Sequence, residues 1–256
     1  MNVLAPQPAA VHFGAVAKLY GRQPVLRSLT LRVEPGEFFG LVGVNGAGKT
    51  TCIKAMLDFC DIDAGRIQLF DLPRTDARAR ARLAYLPERF LPPYYLTGRD
   101  FLSYMSRLHG VPVTREDMQT MLARLDLNAA ALDKPVGHYS KGMAQKLGLA
   151  ACFLSRKDLY VLDEPMSGLD PKARTLVKHH LLELKARSST VFFSTHLLAD
   201  VQELCDRMGI LHEGVLRYVG TPSGCCEAYG APTLERAYVA CISQTSLTTP
   251  QCEPAG

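Results

Sequence analysis

Three groups of residues in this sequence have the types and spacing that chemistry on a polyphosphate requires. The first is Gly43-Val44-Asn45-Gly46-Ala47-Gly48-Lys49-Thr50-Thr51, which meets the phosphate-loop pattern GxxxxGK[ST] at every fixed position. Its glycines let the backbone curl until successive N–H groups point inward, and a helix starting at its end adds a positive dipole. Lys49 then reaches the β- and γ-phosphates, and the Thr50 hydroxyl holds Mg²⁺. The second group is Asp163-Glu164, at the end of the apolar run Leu159-Tyr160-Val161-Leu162. Buried carboxylates are costly unless they are paired or bind metal, so adjacent acids at that place suit a cation and an acceptor for the attacking water. The third is His196, delivered by the apolar run Thr190 to Thr195. A lone histidine is more often structural, but one at the end of a core strand, beside the acids, favours a site.

These residues need elements to hold them. Glu37 to Val42 is an apolar run of strand length, and Ile53, Met56 and Leu57 recur at helical spacing, so the loop lies between strand and helix. Open parallel sheets place ligands at the carboxyl ends of their strands, which gathers all three groups on one edge. Ahead of the loop, Val11, Phe13, Leu29, Leu31 and Val33 alternate with polar residues and predict a small antiparallel sheet. Tyr20 falls at its edge, where an aromatic can stack on adenine or simply pack. Residues 1–10, rich in Ala and Pro, read as a frayed start.

Beyond the loop helix, a strand is expected over Arg66–Phe70, a helix-prone basic stretch over Arg74–Arg82 and a short strand over Leu83–Leu86. Pro87 to Leu96 carries too many prolines for a regular element, and its Phe90, Tyr94 and Tyr95 suit either a contact surface or a packed structural loop. From Thr97 to about Ala151 the pattern is helical, with capping boxes at Thr97/Asp100 and Thr114/Asp117 and an apolar stripe of Met118, Met121, Leu122 and Leu125. Ser140 opens the last of these helices, where it reads first as an N-cap. After Ser167 to Pro171 a helix carries Leu176, His180 and Leu181, and two strands over Met208–Leu211 and Val215–Val219 end the core. The tail from Thr221 holds a short amphipathic helix near Thr233–Ile242, with Leu234, Tyr238, Cys241 and Ile242 on one face, and its last residues read as disordered.

With 256 residues and nearly half of them apolar, the chain fits one domain with subdomains, or at most two. A net charge of +4 with interspersed signs gives no nucleic-acid footprint. No apolar run approaches the roughly 20 residues of a membrane span, and the start lacks a secretory pattern, so a cytosolic chain is expected. The eight cysteines lack C-x-x-C spacing and read as reduced, mostly buried thiols.

In this order, the motifs resemble the nucleotide-binding subunit of an ABC transporter, over residues 11 to 220. The resemblance implies an α/β fold: a P-loop NTPase (RecA-like) core with an antiparallel β subdomain and an inserted α-helical subdomain at about 97–151, the nucleotide-binding domain spanning 1–222 and a tail 223–256. It implies ATP and Mg²⁺ as cofactors. Tyr20 then corresponds to the adenine-stacking aromatic and Gly43 to Thr51 to the Walker A loop. Asp163 and Glu164 match the metal-site acid and general base, Ser167 to Asp170 the D-loop, and His196 the switch histidine. Glu88 stands at the usual glutamine and joins nucleotide and metal, and Tyr139 to Met143 stands at the signature, of which Ser140 and Gly142 are kept. Both departures resemble the type-two ABC exporter group. The implied function is export driven by ATP hydrolysis, in a homodimer or with a related ATPase subunit, each loop completed by the partner's Ser140 and Gly142. A separate polytopic membrane permease would hold the chain peripherally on the inner face of the membrane. The alternative is a soluble ABC ATPase acting on nucleic acid or ribosomes, for which basic extensions and tandem cassettes are missing. A P-loop GTPase or kinase lacks support, because no N-K-x-D pattern occurs and Asn2, Asn45 and Asn128 are the only asparagines.

Overall fold

The computed structural model describes residues 8–243; the frayed start over 1–7 and the disordered end expected above lie outside them. Strands β1 (Val11–Tyr20) and β2 (Gln23–Val33) form a hairpin in which Tyr20 pairs with Gln23. Strand β3 (Phe38–Val42) leads through the glycine-rich loop into α1 (Lys49–Met56). Next come β4 (Ala64–Leu69), β5 (Leu72–Pro73), α2 (Ala77–Arg80) and β6 (Leu83–Leu86). The helical insert consists of α3 (Gly98–His109), α4 (Arg115–Arg124) and α5 (Lys141–Leu154), with 3₁₀ turns at Ala129–Asp133 and Val136–His138. The chain then alternates through β7 (Leu159–Asp163), α6 (Pro171–Ala186), β8 (Thr190–Thr195), α7 (Leu198–Leu204) and β9 (Arg207–His212). It ends in β10 (Val215–Gly220), α8 (Pro222–Ala228) and α9 (Leu234–Ser243).

The strands form two sheets. An antiparallel sheet has the order β2-β1-β4-β5, and a six-stranded sheet the order β10-β9-β3-β8-β7-β6, in which all neighbours run parallel except β10 and β9. Every residue of β3, β7 and β8 is buried, which is why their sequences run apolar without alternation. The half-exposed β1 alternates instead, with Val11, Phe13 and Val16 facing inward. One core joins Phe13, Val16 and Leu29 of the antiparallel sheet to Ile53 and Met56 of α1 and to the stacked rings of Phe39 and Phe192. A second joins Phe101, Leu122 and Leu125 of the insert to Leu147, Leu162 and Phe193. Both predicted capping boxes form, at Thr97/Asp100 and Thr114/Asp117.

Several expectations change. Ala9 and Ala10 are fully buried, and the Ala10 amide donates to the Val33 carbonyl at 2.9 Å, so order begins before residue 11. On α6 the core position belongs to Val177, one residue on from the half-buried Leu176. The boundary drawn after residue 222 falls inside α8, which is capped by Thr221 accepting from the Gly224 amide at 2.9 Å. Both tail helices join a third core, in which Cys225, Leu234, Ala237 and Cys241 meet Val42, Val201, Met208 and Ile210. Ala237 takes an inward position, while Tyr238 and Ile242 are half-buried. The seven described cysteines are free thiols, and Cys252 lies outside the described residues.

Candidate active site

The register of the central sheet aligns the strand ends. Val42 pairs with Thr195, and Asp163 pairs with Ser194, so the loop after β3, Glu164 after β7 and His196 after β8 leave the sheet side by side. The loop closes on the N-terminus of α1 with Gly48 at φ 110°, where a Cβ would also lie 2.9 Å from the Val25 carbonyl. No side chain caps α1, which leaves its first amides to an anion. The Lys49 ammonium is buried and folds back over the loop, donating to the carbonyls of Gly43 at 2.6 Å and Val44 at 3.3 Å. It stands 3.7 Å from Glu164 Oε1.

Asp163 is 1% exposed. Burial pushes its carboxyl above the usual range, helped by the charge of Glu88, against the hydrogen bond from Ser194, the nearby Thr50 hydroxyl and the charge of Lys49. The Ser194 hydroxyl donates to Oδ1, and Oδ2 has no hydrogen-bond partner. An orphaned carboxylate oxygen beside the Thr50 hydroxyl is a donor set that fits a hard divalent cation. Among the described residues no cluster of three or more His, Cys, Asp or Glu surrounds a metal position. Beyond Asp163, Thr50 and the cleft-lining Glu88, such a cation would take its ligands from nucleotide and water, as Mg²⁺ commonly does.

Glu164 has a left-handed backbone, φ 48°, and its amide is held by Ser194 through the carbonyl at 3.3 Å and the hydroxyl at 3.1 Å. Its Oε2 lies 2.9 Å from His196 Nδ1, and Oε1 has no hydrogen-bond partner. Strain of this kind persists where neighbours over-determine the backbone, as the two Ser194 contacts do here.

The predicted residues converge unevenly. Tyr20, Asn45, Gly46, Gly48, Lys49, Thr50, Thr51, Glu88, Glu164 and His196 line one cleft of about 610 Å³. Gly43 and Ala47 are buried within the loop, and Asp163 is buried as well. Tyr20, half-exposed at the tip of β1, has the Lys18 ammonium 5.2 Å from its ring centroid. Ser140 and Gly142 do not line this cleft: Ser140 caps α5 through the Met143 amide, and Gly142 packs at the Gly168 carbonyl. A larger groove, about 750 Å³, lies by the N-terminal ends of β6 to β8 and holds none of these residues. Sequence reasoning missed Ser194, although a serine ending a buried strand opposite an acid is a usable signal. It also missed Gln145, which donates to the Pro165 carbonyl at 3.0 Å and ties α5 to the segment after Glu164.

A family model for ABC transporters matches residues 26–167, more than half of the chain. The chain belongs to the ABC transporter family. It is similar to an uncharacterized ABC transporter ATP-binding protein of Synechocystis, with 40% identity over 200 residues, covering 77% of this chain and 56% of that relative. The chain thus spans little more than half of that relative's length. It is also similar to the Nod factor export ATP-binding protein I of Paraburkholderia xenovorans, 38% identical over 222 residues, covering 84% of this chain and 72% of that one. A solved ATP-binding subunit of an ABC transporter superposes with a TM-score of 0.85 at 30% identity, covering 91% of this chain and 99% of the other. The two sheets and the helical insert are therefore the ABC ATPase fold. Among the described residues of this ABC transporter chain, no helix is long and apolar enough to cross a membrane.

Proposed function

We propose that this chain hydrolyses ATP in the cleft between the Gly43–Thr51 loop and His196, and that it powers export through separate polytopic membrane chains. The observation that carries the reading is the convergence of Lys49, Glu164, His196 and the orphaned Asp163 oxygen at one edge of one sheet. Amides of the loop and of α1, with Lys49, hold the β- and γ-phosphates, and Tyr20 stacks on the adenine. Thr50, Asp163 and Glu88 would hold Mg²⁺, which when bound would neutralise charge on the phosphate oxygens. Glu164 accepts the proton of the attacking water as its oxygen bonds to the γ-phosphorus and the bond to the β–γ bridging oxygen breaks, releasing ADP. His196 holds the Glu164 carboxylate in line. The position of Ser140 and Gly142 away from this cleft supports a pair of subunits, each closing the other's site. The export direction rests on the likeness to a Nod factor export ATP-binding protein. Recruitment to the inner face of the membrane follows from the permease.

Glu164→Gln tests the reading. It keeps the shape and a hydrogen bond to His196 but removes the base, so hydrolysis is lost while ATP is retained and an ATP-dependent dimer accumulates on size-exclusion chromatography. Unchanged hydrolysis in this variant removes Glu164 as the base.

A further inference from the structure

One cluster of charge beside the site has no role in the mechanism above. Asp200 lies on α7, four residues beyond His196, with its side chain 2% exposed. Two cations of α6 close on it: Arg174 Nη2 is 3.1 Å from Oδ2, and Lys178 Nζ is 2.9 Å from Oδ1. Arg174 lies in the first turn of α6, four residues beyond Asp170, which ends the segment from Ser167 and caps the helix by accepting from the Ala173 amide at 2.9 Å. Arg174 and Asp200 also line, with Glu164, Gly168 and His196, a small cavity of about 170 Å³.

A buried ion pair contributes little net stability compared with an apolar contact of the same volume, and its better-attested use is to fix one arrangement of the elements it joins. Here an arrangement needs fixing. The His196 side chain is 53% exposed and touches Glu164 through a single 2.9 Å contact. Helix α7, which follows it, has Leu197 at its N-cap position and no side-chain cap. The anchor of its first turn is Asp200, and Arg174 ties that anchor to the segment that follows Glu164. We propose that Arg174 and Asp200 are positioning residues that set His196 against Glu164. This rests on the assignment of Glu164 and His196 to hydrolysis.

The test is steady-state ATP hydrolysis and equilibrium ATP binding on the full chain, with Glu164→Gln measured alongside. Arg174→Gln should lower kcat about tenfold while ATP Kd stays within about twofold, because the phosphate loop is untouched. Arg174→Lys, which keeps the cation, should recover most of the loss. Asp200→Asn should behave like Arg174→Gln, and the double variant should be no slower than the slower single. Lys178→Met removes the other cation from the same carboxylate without touching Arg174; it should lower the melting temperature yet keep kcat within about threefold. If Asp200→Asn does not fold, the Arg174 pair, at a one-third exposed side chain, decides the question. A kcat for Arg174→Gln within about twofold of the parent overturns the proposal, as does an equal kcat loss in Lys178→Met and Arg174→Gln. Undiminished hydrolysis in Glu164→Gln would instead defeat the site assignment, and this proposal with it.

Discussion

Replacing Glu164 by glycine should give a more stable protein than replacing it by alanine, the reverse of the order at most positions. Both substitutions delete the same contacts, with His196 at 2.9 Å and Lys49 at 3.7 Å, so those losses cancel in the comparison. What remains is backbone. In ordinary conformations glycine is the less stable choice by roughly 0.5–1 kcal/mol, because it loses more freedom on folding. At φ 48° a Cβ crowds the following carbonyl oxygen, which costs any other residue roughly 1–2 kcal/mol. The difference favours glycine by about 0.5–1 kcal/mol, worth roughly 2 °C of melting temperature in a chain of this size. Thermal and urea unfolding of the two nucleotide-free variants in one buffer measures it. An alanine variant that unfolds at the same or higher temperature and denaturant would show that Glu164 stores no backbone strain.

Lys49→Ala should abolish or severely weaken ATP binding, because the one full positive charge folded over the loop is lost; equal affinity in a titration would remove the phosphate-loop assignment. Tyr20→Ala should weaken binding only about tenfold, the loss of roughly 1–2 kcal/mol of stacking on a base. Tyr94 and Tyr95 are 76% and 71% exposed, with their rings in contact only edge to face. Their joint replacement by Ala should leave the subunit folded and ATP-binding but abolish co-purification with its membrane partner and transport; normal transport defeats the coupling role of this loop. Burial pushes the His180 imidazole down to about 4, against the pull of Glu183. Between pH 6.5 and 4 the unfolded chain therefore binds the extra proton, so up to about 3 kcal/mol of stability present above pH 6.5 is lost as pH falls to 4. His180→Phe should flatten that part of a stability profile followed by urea unfolding, and an unchanged slope would refute it.

The parts of this fold written by local rules were legible in the sequence. The phosphate loop, the two capping boxes and the unbroken apolar runs of β3, β7 and β8 each carry a signal within a few residues. Sheet order carries no such signal, yet it is what sets Ser194 opposite Asp163 and supplies the hydroxyl that one of the acids needs. The Arg174–Asp200 contact joins residues on different helices, so neither position stands out in one sequence. Helix α8 was missed although Thr221-Pro222 is a legible start, a capping threonine followed by proline at the first helical position. In α9, Cys241 and Leu234 face inward as expected, but Ala237 between them takes the third inward place and leaves Tyr238 half-buried.

Placing β3 between β8 and β9 also dictates when the site can exist during synthesis. The loop and α1 leave the ribosome early, but the strands that β3 pairs with are Thr190–Thr195 and Arg207–His212, some 150 residues later. Until then Phe38-Phe39-Gly40-Leu41-Val42 is an apolar strand with two unsatisfied edges, the kind of segment that pairs with the wrong chain. Such long-range parallel pairing is intrinsically slow to form. A chain released before Thr190 carries the whole phosphate loop and neither of the strands that hold it in place.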